Sequence, residues 1–273
     1  MATRSSKPSP GRPLAVYRAM RDFSSTPEPD GKAPRRAGKE RFFCVQKHLA
    51  SHLHYDVRLE HRGVLLSWAV PKGPSLDPHD KRLAMKVEDH PFDYGEFEGV
   101  IPSGYGAGIV MLWDRGRWHP ESEDIDAALE RGELKFSLDG YKLKGSWVLV
   151  RTGRDGDART WLLIKHRDEW AGAVDIVGFA PLSVKSEGDF EHILAAEQPS
   201  LWHSDRPARG GIAGSMFTEI IAKAARLRAA REAGTKAKSV KPVKRQKMHK
   251  GPARADAKTS AARRSPPRPR RTV

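Results

Sequence analysis

From Arg41 to about His166 the chain is a succession of short apolar runs with a period of two. Turn-forming clusters separate them: PKGPSLDPHDK, GVIPSGYGAG, WDRGRW, SLDGYKLKG and RTGRDGDART. Side chains alternate across an extended strand, so regular spacing of this kind predicts a mainly β protein, an antiparallel barrel or sandwich. Three helices interrupt or follow the pattern. EDIDAALERGEL at 123–134 has acidic residues in its first turn and Gly132 near its end, a second runs from about Asp189 to Gln198, and a third covers 215–234 with basic residues on its polar side. The expected organisation is a flexible N-terminal arm over 1–40, a β domain over 41–185, a helix and loop over 186–214, and a basic helix and tail over 215–273. The arm contains one short amphipathic stretch, LAVYRAMRDF at 14–23, and is expected to contribute nothing to the core.

Charge is distributed unevenly. The formal net charge is +15, yet residues 205–273 alone hold 20 Lys and Arg against 4 Asp and Glu, while residues 1–204 hold 29 against 30. A Lys-, Arg-, Pro- and Ala-rich tail cannot bury enough apolar surface to fold alone, so it is expected to be disordered, and its charge suits a polyanion such as nucleic acid. Any substrate affinity of the near-neutral body must come from local clusters. The single cysteine, Cys44, excludes an internal disulfide and fits a reducing compartment. With no apolar run of membrane-spanning length and no secretory leader, a cytoplasmic, nucleoid-associated protein is expected.

The chemistry concentrates in QKHLASHLHYDVR at 46–58, where His54, Asp56 and Arg58 alternate with Leu53, Tyr55, Val57 and Leu59 and therefore share one strand face. With His48, the two imidazoles and one carboxylate suit a divalent transition metal and leave positions for water and substrate; Zn, Mn and Fe are all compatible. An exposed hydrogen-bonded His/Asp pair is the plainer alternative. A second run, RLAMKVEDH at 82–90, is read as one strand with Arg82, Lys86, Glu88 and His90 on one side. Guanidinium groups from Arg58 and Arg82 beside a His/Asp cluster suit a tetrahedral phosphate, and His90 suits a general acid or a donor to phosphate oxygens, with Glu88 in support. The stretch GVIPSGYGAG lacks the Lys-Ser/Thr ending of a P-loop, and Asp124 and Asp126 open a helix, where acidic groups favour the macrodipole. The histidines at 52, 61, 79, 119, 166, 192, 203 and 249 lack comparable polar company and are expected to be structural or on the surface.

With these residues in view, the chain resembles the 3′-phosphoesterase domain family of bacterial DNA ligase D in a stand-alone form. The resemblance runs through YRAMRDFSSTPEP at 17–29, VQKHLASHLHYDVRLEHRGVLLSWAVPKGPSLDP at 45–78, KRLAMKVEDHPFDYGEFEGVIP at 81–102, YGAG at 105–108, and LKGSWVLVR followed by WLLIKHRD. It implies a compact β-barrel with an active site on its concave, inward-facing surface. It further implies a Mn2+ requirement, and removal of 3′-terminal ribonucleosides and then 3′-phosphates from DNA or RNA–DNA primer ends during break repair. By motif, His48, His54 and Asp56 would bind the metal; Arg58, Arg82 and His90 would act on the scissile phosphate; Gln46, Lys72, Glu88 and Tyr94 would support them. Separate ligase, polymerase and Ku-type end-joining proteins are the implied partners, since no K-x-D-G ligase signature is present. One departure stands out: IPSG runs directly into Tyr105, one residue short of the family pattern. Two other classes compete with this reading, a non-haem iron oxygenase using an H-x-D facial triad and a non-catalytic DNA-end binding protein.

Overall fold

The computed structural model describes residues 14–20, 40–101, 107–153, 157–196 and 212–238, with side chains of the last stretch described from 216 to 231. The shortened loop before YGAG, the basic tail beyond 238, and His203 and His249 lie outside the described residues. The described residues form ten strands: β1 Arg41–Leu49, β2 Leu53–His61, β3 Val64–Val70, β4 Arg82–Lys86, β5 His90–Pro91, β6 Gly99–Ile101, β7 Gly108–Pro120, β8 Glu133–Gly140, β9 Lys144–Arg151 and β10 Thr160–Lys165. Their order is β1-β2-β3-β4-β10-β9-β8-β7, and β7 pairs back onto β1, so eight antiparallel strands close into a barrel. The short β6 extends from β7 and β5 from β3. Closure removes the free sheet edges that an open sandwich would have to protect.

The period-two pattern turns every second side chain of a strand to the interior. Phe43 and Val45, Tyr55 and Val57, Trp68, Phe136, Trp147, Leu149, Trp161 and Leu163 all belong to one buried cluster. Truncating any of these rings would cost about 3–5 kcal/mol through lost transfer energy and the cavity left behind. Where β1 meets β7 the register shifts between Val45 and Gln46, so that Val45 faces Asp114 and Gln46 faces Leu112. This bulge inserts Trp113 as an extra residue and lets Trp113 and Asp114 both turn inward. Burial pushes the Asp114 carboxyl up to about 6, against three backbone amides, those of Leu143, Lys142 and Arg115, that donate to it.

The helices follow their end signals. The helix α2, Ile125–Arg131, starts at Asp124, whose side chain accepts from the Ala127 amide, and stops at Gly132 in the left-handed conformation (φ 85°). Asp124 is therefore a cap, and Asp126 pairs with His61 and Arg62. Three more helices, α3 Ile176–Phe179, α4 Phe190–Ala196 and α5 Ile212–Lys238, add Ile176, Phe190, Leu194, Ile220 and Ala224 to the interior cluster. Among the described residues no helix is long and apolar enough to cross a membrane.

Three expectations need correction. Residues 82–90 do not form one strand: β4 ends at Lys86, residues 87–89 leave the sheet, and His90 re-enters as β5 opposite Leu65. Strand parity is lost across that break, so Arg82 (opposite Leu163) and His90 point to different sides. Residues 14–20 are not a coreless arm. The helix α1, Ala15–Ala19, fully buries Tyr17 in a second apolar cluster with Leu14, Leu65 and Tyr94. Nor do the candidate ligands face inward. They alternate with Val45, Tyr55 and Val57, which fill the barrel, and so project from its outer surface under that second cluster.

Candidate metal centre

Pairing between β1 and β2 sets His48 opposite His54 and Gln46 opposite Asp56, so all four side chains stand on one face. One ligand atom from each of His48, His54 and Asp56 lies within 4.8 Å of the others. His48 Nδ1 and His54 Nε2 are each 3.7 Å from Asp56 Oδ2. His54 Nδ1 is 3.0 Å from the carbonyl oxygen of His52; that oxygen only accepts, so Nδ1 carries the proton and the Nε2 lone pair is directed at the cluster. His52 thus contributes its backbone, while its side chain is exposed.

Burial opposes ionisation of Asp56, but the Arg58 guanidinium, followed by the neighbouring His48 and His54 rings, holds its carboxyl well below the usual range. For His54, burial works against the charged ring and the Asp56 carboxylate outweighs it, raising its pKa. Two imidazoles, one oriented by a backbone carbonyl, and one ionised carboxylate converging over this distance fit a divalent transition metal. An exposed His/Asp pair does not describe them, since His48 and Asp56 are buried.

A continuous hydrogen-bonded chain runs from this cluster to His90. Arg58, itself only 2% exposed, donates from NH2 to Asp56 Oδ2 (3.0 Å), from Nε to Gln46 Oε1 (2.7 Å) and from NH1 to Ser67 Oγ (2.8 Å). Three of its five N–H groups are so used, leaving one on each terminal nitrogen. Gln46 is fixed in turn by donating to the carbonyls of Tyr94 and Phe97, both at 2.9 Å, and the Tyr94 ring lies 4.9 Å from the Arg58 guanidinium. Ser67 Oγ donates to Leu65 O (3.0 Å) and lies 3.4 Å from His90 Nδ1. His90 Nδ1 is also 2.9 Å from the Glu88 carbonyl, which makes it the protonated nitrogen, and Glu88 Oε1 is 3.9 Å from Nε2. Tyr17 and Tyr94 hold the imidazole between rings at centroid distances of 5.0 and 4.8 Å.

The structure therefore brings together Gln46, His48, His54, Asp56, Arg58, Glu88, His90 and Tyr94. Arg82 is not among them, since it points to the opposite side from His90. Arg82 is bound to Asp80 (NH2 to Oδ2, 2.7 Å), and Lys72 is exposed in the turn after β3, at the end of the hairpin where Leu53 and His54 open β2. Ser67 and Tyr17 escaped the sequence reading. Ser67 carried a usable signal, a lone polar residue inside the apolar run VLLSWAV opposite the Arg58 position, whereas nothing local marks the burial of Tyr17.

A closed antiparallel barrel bearing such a cluster defines a class. Residues 46–151 match the model of the DNA Ligase D 3′-phosphoesterase domain, and this part of the chain belongs to that family. The relatives it resembles include the multifunctional non-homologous end joining protein LigD of Pseudomonas aeruginosa, 51% identical over 209 residues, which is 74% of this chain and 24% of that protein. The protein of the same name from Mycolicibacterium smegmatis is 40% identical over 162 residues, 57% of this chain and 21% of that protein. The multifunctional non-homologous end joining DNA repair protein LigD of Mycobacterium tuberculosis is 46% identical over 143 residues, 52% and 19% of the two chains. The chain thus spans about a quarter or less of the length of these relatives.

Proposed function

We propose that the protein is a Mn2+-dependent phosphoesterase that heals 3′ ends of DNA or RNA–DNA primer strands, removing terminal ribonucleosides and 3′-phosphates to leave a 3′-hydroxyl during end joining. The observation that carries this reading is the unbroken chain from the His48/His54/Asp56 cluster through Arg58 and Ser67 to His90. A divalent ion held by the three ligands would polarise a phosphate oxygen and lower the pKa of a bound water. Arg58 keeps Asp56 ionised and offers its two remaining N–H groups to a phosphate. His90, with Nδ1–H committed to the Glu88 carbonyl, presents Nε2 for proton transfer at the leaving oxygen. Gln46 and Tyr94 fix the guanidinium, and Glu88 fixes the imidazole. Lys72 and Arg82 remain candidates for contacting substrate beyond the reacting phosphate, as exposed or partly exposed cations.

The oxygenase alternative uses the same three ligands, but the family match and a buried guanidinium bonded to Asp56 favour phosphoryl chemistry over it. A non-catalytic DNA-end binder would have no need of an imidazole whose Nδ1 is fixed by the Glu88 carbonyl. The deciding experiment incubates the purified chain with Mn2+ and duplex primers ending in a ribonucleotide or a 3′-phosphate, resolving products on a gel. Conversion of both ends to a 3′-hydroxyl is expected. No turnover with Mn2+, Zn2+ or Co2+ would rule the reading out. Participation of Ku-type, ligase and polymerase partners, and a nucleoid location, are part of the same proposal and are tested by co-purification on DNA ends.

A further inference from the structure

Away from the candidate centre, a shallow pocket of about 370 Å³ opens over β7, β8 and the turn into β9, lined by Arg115, Gly116, Asp139, Gly140, Tyr141 and Lys144. Tyr141 is 70% exposed at its rim. Lys144 links it to a second exposed aromatic, since its Nζ lies 5.3 Å from the centroid of Trp170, which is 47% exposed. Two exposed aromatic rings thus lie in one neighbourhood with two cations. Exposed rings beside cations are the combination found on surfaces on which bases stack.

The pocket shares the face and the neighbourhood of the centre. Arg115 is opposite Cys44 across β7 and β1, and Cys44 is opposite Arg58 across β1 and β2, so Arg115 and Arg58 are two strand spacings apart, about 10 Å. Arg115 NH1 also bonds Glu96 Oε2 (2.6 Å) in the 3₁₀ turn Phe92–Glu96, the turn that carries Tyr94 onto Arg58. We propose that Tyr141 and Trp170, with Lys144 and Arg115, form a stacking ledge for unpaired nucleotides adjoining the strand end processed at the centre. This rests on the nucleic-acid reading above. Charge bears on how the ledge works: Lys144 is paired with Asp139 (3.2 Å) and Arg115 with Glu96, so affinity comes chiefly from stacking rather than from counterion release. A protein partner is less well matched, because the rim of the pocket is charged rather than aliphatic.

The test measures binding of the full-length protein to two labelled DNAs by fluorescence anisotropy, a duplex with about eight unpaired nucleotides and a blunt duplex. The wild type should prefer the tailed DNA. Replacing both aromatics, Tyr141→Ala with Trp170→Ala, should weaken tailed binding about tenfold or more, leave blunt binding and the salt slope unchanged, and remove the preference. Tyr141→Phe, which keeps the ring, should retain it. Equal affinity of the double variant and the wild type, equal losses on both DNAs, or no preference in the wild type would each overturn the ledge. Phosphate release from a short 3′-phosphorylated strand is read separately: its absence in the wild type defeats the proposed activity, while the binding comparison still decides the ledge.

Discussion

Two buried aspartates on β2 and β7, the strands that flank β1, behave in opposite ways. Asp56 and Asp114 are 5% and 0% exposed, yet Asp56 is held well below the ordinary carboxylate range and Asp114 is pushed up to about 6. Burial acts on both in the same direction. What differs is company: Asp56 lies against a guanidinium and two imidazoles on the outer face, whereas Asp114 turns inward and meets mainly backbone amides. Charged neighbours compensate for lost water and keep a group ready for a cation; dipoles do so only in part and make a structural clamp. The outer cluster thus keeps a permanently charged carboxylate, whereas on the inner face Asp114 uses its carboxyl to tie β7 to the β8–β9 turn.

Substitutions can break this contrast. Asp56→Ala, His48→Ala or His54→Ala should lower turnover by about 10³-fold or more and reduce bound metal, with little loss of fold, because the affected side chains lie outside the barrel core. Turnover and metal content of the purified variants check this, and normal values of both for any one residue would remove it from the centre. Asp114→Ala should do the reverse, costing about 3 kcal/mol in urea unfolding as three amides lose their acceptor while activity per folded molecule persists. The same residue makes a pH prediction. A carboxyl whose folded pKa is raised favours the fold below its unfolded value of 3.8, and this contribution is lost as pH rises through about 6. Stability of the wild type should therefore carry a term that falls by up to about 3 kcal/mol over that window, and Asp114→Asn should flatten it. Identical pH profiles for the two proteins would show that Asp114 is not the group responsible.

Smaller effects are expected within the site. His90→Ala should depress turnover about 10²-fold with metal content unchanged, as for loss of a general acid, and a change confined to KM would mark His90 as a ground-state binder instead. Ser67→Ala removes the acceptor for Arg58 NH1 and a neighbour of His90 Nδ1. Since Ser67 acts through those two side chains, kcat should fall about tenfold with the melting temperature little changed, and Ser67→Thr should recover part of it. An unaltered kcat in Ser67→Ala would exclude a positioning role.

Much of this architecture was legible beforehand, for reasons that differ by region. Alternation in β1, β2 and β8 to β10 is a direct imprint of strand geometry, and turn residues such as Gly132 mark their own ends. His54, Asp56 and Arg58 could be grouped because they alternate along one strand, and His48 because the hairpin brings it opposite His54. The break at 87–89 could not be read: KVEDH contains no glycine or proline, and the chain departs there because Val87 donates to Ser67 O before His90 pairs with Leu65. The burial of Tyr17 is equally non-local, depending on rings more than 70 residues away in sequence. Whether strand alternation points in or out is likewise a property of closure, which is why the centre was expected inside the barrel and lies outside it.

Placing the ligands on the outside of a closed ring also constrains how the chain can misfold. In β1 and β2 every polar member of the centre sits one residue away from a core side chain, as His54 does from Tyr55 and Asp56 from Val57. A slip of one residue between these strands would drive imidazoles, a carboxylate and a guanidinium into hydrocarbon and turn aromatic rings to water at once. A ring has no loose edge at which such an error could be absorbed. Residues selected for chemistry therefore act as proofreaders of strand alignment, and replacing them all by leucine, though it would raise the apolar content of the barrel wall, should yield a protein with several competing registers in place of one.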